Sequence, residues 1–533
     1  MTKLTEKQKK WVERTAGNSR IYRRVLYNRM FTFALSVLLQ LITFAYFFYA
    51  IAYQSSWTIA VQSALFILQI VSVLYILNEH ERPSSKLNWI ILILLFPAFG
   101  IPMYAMNGRG RPARKMKNKL LFAQKQVNEA FEKQYGKVQN GAMAGRNNAI
   151  SAYLTKHAKY PAFDGGSVEY YADGAQMFEA MKEQLKKAEK FILLEYFIIA
   201  HGRMWKEIFE ILLEKAMQGV QIRIIYDDFG CMLTLQPRYD RYMNSLHENI
   251  RCIKFNKIVP FFSLRMNHRD HKKILVIDGK VGFTGGINLA DEYINEKKRF
   301  GHWKDTGVQI TGNSVRSLTR AFLNIWQAYG NEKLPLETFL PQEKQATQTV
   351  KDGYCIQPYD DSPLDGISTG AAVYEDIIYR AEKYVWIFTP YLVLDEHMRG
   401  ALCFAAARGV DVRIVTPGIP DKKTVFRLTR ANYTMLLKSG VRIYEYTPGF
   451  IHAKSMISDD NAAVVGTINM DYRSLYHHFE NAVYFTDEKA VAALKEDCEQ
   501  TFGVCKERTL ENTKRRLIGR LADSVLRVFE TLM

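Results

Sequence analysis

A set of polar residues is written twice in this chain at one spacing. The first copy is His271, Lys273, Asp278, Gly285 and Asn288, and the second is His452, Lys454, Asp459, Gly466 and Asn469. In both, Lys follows His by two positions, Asp by seven, Gly by fourteen and Asn by seventeen. A single His-x-Lys is usually no more than part of an exposed strand. Two matched copies ask for a common architecture around them.

That architecture is visible in the flanks. Phe178 through Glu195 reads as a helix running into an apolar strand, and Tyr374 through Phe388 repeats the pattern. Gln218-Gly-Val-Gln-Ile-Arg-Ile-Ile225 is mirrored by Arg408-Gly-Val-Asp-Val-Arg-Ile-Val415. In each, Gly219 or Gly409 suits a left-handed helix C-cap ahead of a β-branched strand. Helices alternating with buried strands predict α/β units around a mostly parallel sheet. The copies are offset by about 190 residues (409 minus 219). A chain of 533 residues has room for two such domains and more.

The extra length is largely apolar. No charged residue occurs from Met30 to Asn78, a run of 49, where about 20 suffice to span a bilayer as a helix. Spans are expected at 31–53 and 57–77, split by Gln54-Ser55-Ser56. A third run, 87–107, contains Pro97, Gly100 and Pro102 and reads as either a third span or a kinked, re-entrant segment. Nine Lys/Arg precede the first run and six lie in 108–119. The positive-inside rule puts both flanks in the cytoplasm, which favours two crossings plus one incomplete segment. The length of the first run argues against a cleaved signal peptide. A formal net charge of +18 calls for an anionic partner, whether nucleic acid, membrane surface or phosphorylated substrate.

The motif itself suits phosphate chemistry. His and Lys two apart on a strand face the same way, setting an imidazole beside a fixed positive charge. The Gly pair Gly285-Gly286, or Gly466 before Thr467, permits close backbone approach to a ligand, and the Asn offers amide donors to a phosphoryl oxygen. Asp278 and Asp459 lie at the far end of each strand, and on reach alone a structural role suits them better. Asp305 and Glu480, which follow the motifs, are better placed to orient an imidazole. The pair Asp227-Asp228 reads as a turn cap rather than a metal site. The six cysteines show no zinc spacing and read as free thiols in a reducing compartment.

This pattern resembles the HKD signature of the phospholipase D superfamily over nearly all of residues 150–510. Tyr444-Glu-Tyr-Thr-Pro-Gly-Phe-Ile-His-Ala-Lys454, Val465-Gly-Thr-Ile-Asn-Met-Asp-Tyr-Arg-Ser474 and His477-His-Phe-Glu480 are similar to the cardiolipin synthases in particular. Ser84-Ser-Lys-Leu-Asn-Trp89, with the Pro-broken run behind it, resembles the membrane hairpin of that family. The run at 31–53 is extra to that hairpin. Gly286 stands where many superfamily members have Ser; cardiolipin synthases often show Gly there.

The resemblance implies an α/β fold of N-terminal transmembrane helices followed by two tandem phospholipase D-like α/β/α sandwich domains that share one pseudo-twofold active site. The expected boundaries are a basic cytoplasmic N-terminus (1–30), membrane segments (31–107), a basic linker (108–149), a first domain (150–332), a linker (333–352), a second domain (353–510) and a C-terminal amphipathic helix (511–533). It implies a catalytic set of His271, Lys273, Asp278, His452, Lys454 and Asp459. One imidazole would form a phosphatidyl-histidine and the other would act as acid and base. His271 is assigned the first role and His452 the second, an order the near-symmetry leaves open. Lys273, Lys454, Asn288 and Asn469 would hold the phosphate oxygens, with no metal or other cofactor. Glu480 would orient His271, and Asp305 would orient His452. The implied substrate is phosphatidylglycerol and the product cardiolipin, handled at an anionic membrane surface by a multi-pass membrane protein with cytoplasmic catalytic domains. A phospholipase D hydrolase would use the same residues. No nucleic-acid-binding module is visible, so a nuclease is the weaker reading, and the two complete motifs argue against an inactive scaffold.

Overall fold

A computed structural model describes residues 58–79, 82–108, 114–136, 148–163, 166–258, 267–330, 334–340, 354–364, 366–513 and 517–527, with a few single positions besides. The basic N-terminus and, apart from isolated positions, the expected span at 31–53 lie outside the described residues. So does most of the expected linker 333–352.

The first half contributes Val168–Tyr171 (β1), Phe191–Tyr196 (β2), Gln221–Asp227 (β3), Ile250–Phe255 (β4), Lys273–Ile277 (β5), Val281–Gly285 (β6), His302–Lys304 (β7) and Gly307–Thr311 (β8). The second contributes Ile356–Asp361 (β9), Tyr384–Phe388 (β10), Asp411–Pro417 (β11), Arg442–Tyr446 (β12), Gly449–Ile451 (β13), Ser455–Ser458 (β14), Ala462–Gly466 (β15), Glu480–Phe485 (β16) and Cys505–Arg508 (β17). The first sheet runs β4-β3-β2-β5-β6-β8-β1. The second runs β12-β11-β10-β14-β15-β16-β9, with β17 added outside β12. The two orders coincide strand for strand, so the repeat in sequence is a repeat in topology.

The sheets are mixed, which corrects the expectation of a mostly parallel sheet. Within these two sheets, parallel pairing is confined to β2-β3-β4 and β10-β11-β12. From β5 and β14 onward the pairing is antiparallel. The reason is local. Asp278-Gly279 joins β5 to β6 with both residues at positive φ (54° and 69°), a tight hairpin that can only reverse the chain. The expected left-handed caps are present, with Gly219 at φ 96° and Gly409 at φ 91°.

All residues of β2, β5, β10 and β14 are buried, because both faces of each sheet are covered. The outer face of the first sheet packs under helices Gly174–Lys186 and Arg203–Met217. The outer face of the second packs under Thr369–Arg380, Glu396–Ala407 and Lys423–Lys438. Between the sheets lies one shared apolar layer that also holds helices Val315–Tyr329 and Glu488–Gly503.

At the N-terminal end, Thr58–Asn78 is one helix of 21 uncharged residues, about 31 Å at the usual rise. The run 87–107 is not one straight helix. Pro83–Leu95 and Pro97–Asn107 are separated at Phe96, since Pro97 has no N–H to continue the ladder. The second piece folds back on the first: a Cβ on Gly100 would sit 2.8 Å from Ile93 Cα, and Tyr104 meets Trp89 edge-on at 5.5 Å. Gln69 Nε2 donates to the carbonyls of Ile93 and Leu94 (3.2 and 3.1 Å), two acceptors the break leaves open. Counted only over residues whose side chains are described, no helix is long and apolar enough to cross a membrane.

Candidate active site

The site is assembled by backbone pairing between the halves. His271 stands two residues ahead of β5 rather than within it. Its N–H donates to the Phe479 carbonyl (2.8 Å), and Asp270 bridges Phe479 in parallel. His452 follows β13, which pairs in parallel with β7, and its N–H donates to the Lys304 carbonyl (2.7 Å). The residue after each acceptor is a carboxylate, Glu480 in one case and Asp305 in the other. A register set by main-chain bonds thus carries each carboxylate to the imidazole of the opposite half.

Both Glu480 oxygens lie against His271 Nδ1, at 2.9 and 2.8 Å, and Asp305 Oδ2 lies 2.6 Å from His452 Nδ1. A carboxylate accepts only, so Nδ1 carries the proton and Nε2 presents its lone pair away from the carboxylate. All four groups are buried. Burial pushes His271 well below the ordinary imidazole range and His452 down to about 4. Burial alone would raise Glu480, but His271 and His478 hold it well below the usual carboxylate range. The same balance, with His452 and Lys454 as partners, lowers Asp305. In each pair the resting arrangement is a neutral imidazole on an ionised carboxylate. Burial also brings Lys273 down to about 7 and Lys454 to about 8, partly offset by Glu480 and Asp305. Each ammonium donates to the carbonyl of its own motif histidine, Lys273 Nζ to His271 O at 2.5 Å and Lys454 Nζ to His452 O.

Asp278 and Asp459 are not brought to the imidazoles. Asp278 accepts the N–H groups of Glu189, Lys190 and Phe191, each at 2.8 Å. Asp459 does the same for Glu382, Lys383 and Tyr384 (2.8, 2.8 and 2.9 Å). Each aspartate ties the turn from helix into β2 or β10 to the strand beside it, with its carboxylate fully engaged. The motif glycines also differ from expectation, because they serve packing between strands rather than approach to a ligand. A Cβ at Gly466 would meet Ala482 Cβ at 2.4 Å, and one at Gly285, where φ is 154°, would meet Thr306 O at 2.4 Å. Asn288 accepts from Ile198 N (3.0 Å) and donates to Tyr293 OH (2.7 Å), while Asn469 Nδ2 faces Asp471 (3.4 Å). Each keeps a second Nδ2–H.

Further side chains complete the site. Thr467 Oγ1 donates to Glu480 Oε2 at 2.5 Å. Phe197 lies edge-on to His271 (4.9 Å), and Tyr293 and Trp303 lie against His452 (both 5.4 Å). Asp227 does cap a turn, through Phe229 N and Gly230 N (2.8 and 2.9 Å), and also accepts Asp270 N (3.1 Å) directly before His271. Sequence could have found it only by knowing that β3 ends beside that loop. Among the described residues, His271, His478 and Glu480 are the group whose donor atoms could hold a cation, lying within 4.8 Å of one another. Glu480 is already turned to Nδ1 of His271, so a metal there would compete with the imidazole.

Two α/β copies that exchange carboxylates across their interface, each presenting one imidazole and one lysine, define a protein of the phospholipase D class. The chain belongs to the cardiolipin synthase family within it: residues 181–326 and 374–502 match the family described as cardiolipin synthase, PLD-like domain. Residues 67–109 match the phospholipase D-nuclease N-terminal family, which covers the helical hairpin. The cardiolipin synthase of Alkalihalophilus pseudofirmus is 32% identical over 464 residues, 85% of this chain and 90% of the relative. That of Halalkalibacterium halodurans is 33% identical over 456 residues, covering 84% and 88%. An uncharacterized protein of Streptococcus mutans is 43% identical over 452 residues, 84% of this chain and 96% of that protein. In fold, the chain is similar to the phosphatidylserine synthase of Haemophilus influenzae, with TM-score 0.56 and 14% identity over 72% of this chain and all of that one.

Proposed function

We propose that this chain is a cardiolipin synthase that transfers a phosphatidyl group from one phosphatidylglycerol to another, giving cardiolipin and glycerol. The cross-half pairing of each imidazole with a buried carboxylate carries this reading. A neutral His271, its Nδ1–H held by Glu480, offers Nε2 to the phosphodiester phosphorus. The bond from phosphorus to the glycerol oxygen breaks as the phosphatidyl-histidine forms, and His452 supplies the proton that the leaving oxygen takes. The hydroxyl of a second phosphatidylglycerol then gives its proton back to His452 while its oxygen displaces Nε2. In the empty site burial keeps His452 neutral. The phosphodiester anion and Asp305 together favour its protonated form once substrate is bound. Lys273 and Lys454 neutralise the non-bridging oxygens, and the free amide hydrogens of Asn288 and Asn469 donate to them.

The apolar helix Thr58–Asn78 and the folded-back hairpin 83–107 fit a multi-pass membrane protein with the catalytic halves on the cytoplasmic side, facing an anionic lipid surface. The test is reconstitution of the full chain in phosphatidylglycerol vesicles, with and without divalent metal, beside His271→Ala and His452→Ala. Cardiolipin and glycerol in equal amounts, lost in both variants, is the expected result. Phosphatidic acid in place of cardiolipin would make water the acceptor and the chain a hydrolase, and no lipid product would overturn the reading.

A further inference from the structure

Away from the paired imidazoles a cavity of about 310 Å³ opens between helices Arg114–Tyr135, Asn148–Lys156 and Val315–Tyr329. Its charged lining is four cations, Lys156, Lys159, Arg316 and Arg320, against one carboxylate, Glu132. It shares no lining residue with the catalytic site.

Arg320 is the unusual member. It is 5% exposed, and its guanidinium lies 4.6 Å from the Tyr160 ring centroid. One nitrogen donates to the Lys159 carbonyl. Its buried Nε has no partner among the described residues, and neither has the buried Oδ1 of Asn128 in the same wall. Asp360 lies beside Tyr160 and is not part of the cavity lining. A guanidinium buried short of hydrogen bonds is costly unless something else completes its fork. Arg316, over the Tyr135 ring at 4.1 Å, brings a second fork to the same space. Phe131, Pro161 and Phe163 form an apolar part of the wall.

We propose that this cavity is a second, non-catalytic binding site for a phosphate anion. Two guanidinium forks and two ammonium groups suit the charge and geometry of a phosphate group. The apolar wall and the volume suit the glycerophosphate headgroup of an anionic phospholipid, and free inorganic phosphate offers the same recognition chemistry. The wall belongs to the helix that leaves the membrane segment and to the long helix closing the first half. Ligand at this site therefore ties the anchor to the catalytic body.

The experiment titrates the full chain in non-ionic detergent with dihexanoyl phosphatidylglycerol and, separately, with inorganic phosphate, by calorimetry. It is repeated on Lys156→Gln/Arg316→Gln, which changes two accessible positions. The number of lipid sites per chain falling by one in the double variant, or affinity at this cavity weakened by about tenfold or more, is expected. Turnover at saturating substrate should persist. If phosphate alone displaces the lipid at this cavity, the free anion is the ligand. If it does not, the lipid headgroup is. Should the double variant melt below the unmodified chain without ligand, Lys156→Gln alone replaces it. Identical stoichiometry and affinity in variant and unmodified chain would overturn the proposal.

Discussion

Gly286 and Thr467 occupy the same motif position and do different work. A Cβ on Gly286 would lie 1.9 Å from Asp305 Oδ1, so the carboxylate has taken that space in the first half. In the second half the Thr467 side chain fills the space and its hydroxyl steadies Glu480. Gly286→Ala should therefore push Asp305 off His452 and cut turnover by about a hundredfold, with circular dichroism unchanged. Near-normal turnover would mean Asp305 does not hold the imidazole. The lysines make a second prediction. Their pKa values are lowered by burial, so the charged form is lost as pH rises, earlier than for an exposed lysine. kcat/KM, which reports the free site, should fall on the alkaline side with midpoints between about 7 and about 8. A profile flat to the ordinary lysine range would show that the ammonium groups are not needed in charged form.

The elements hold these residues by a few main-chain contacts. β7 against β13, and Asp270 against Phe479, set which carboxylate meets which imidazole. The N-terminal helical hairpin reaches the same region through Arg82, whose guanidinium lies 3.0 Å from the Tyr476 ring centroid and whose Nη2 donates to Ser368 Oγ (3.0 Å). Tyr476 ends the helix Tyr472–Tyr476, close before His478 and Glu480. A cation on an aromatic face is worth about 0.5–2 kcal/mol. Arg82→Ala should lower vesicle turnover by roughly twofold to thirtyfold, the range that energy sets, and speed hydrogen exchange across 472–480. Unchanged exchange would make the contact a tether with no hold on the site.

At the scale of the molecule the two halves share their core. Phe191 and Val276 from the first pack in one apolar layer with Trp386 and Val465 from the second. Asn481 Nδ2 donates to Thr284 Oγ1 (2.7 Å), and Lys304 pairs with Asp497 (2.6 Å), both across the interface. Calorimetry should show the catalytic halves unfolding in one transition, and Thr284→Val, which leaves the Asn481 amide unpaired, should cost about 1–3 kcal/mol. Two resolved transitions would mean that the shared layer does not couple the halves.

The duplication, the alternating helices and strands and the paired histidines and lysines of the motifs could be read from sequence, because each is a local pattern of period or spacing. So could the break at Pro97 and the left-handed turns at Gly219 and Gly409, where backbone sterics act within a few residues. The mixed sheet was not legible. Whether a strand pairs parallel or antiparallel depends on its neighbour in space, and the hairpin at Asp278-Gly279 does not announce itself by periodicity. Reach along the strand already favoured a structural role for Asp278 and Asp459 and pointed to Glu480 and Asp305, but a carboxylate acquires its role from what lies within about 3 Å of it. Only tertiary structure brought Glu480 and Asp305 across the interface and left Asp278 and Asp459 tying turns. Sequence determined which groups the chain owns. Burial and cross-half register decided which of them meet, and with what charge.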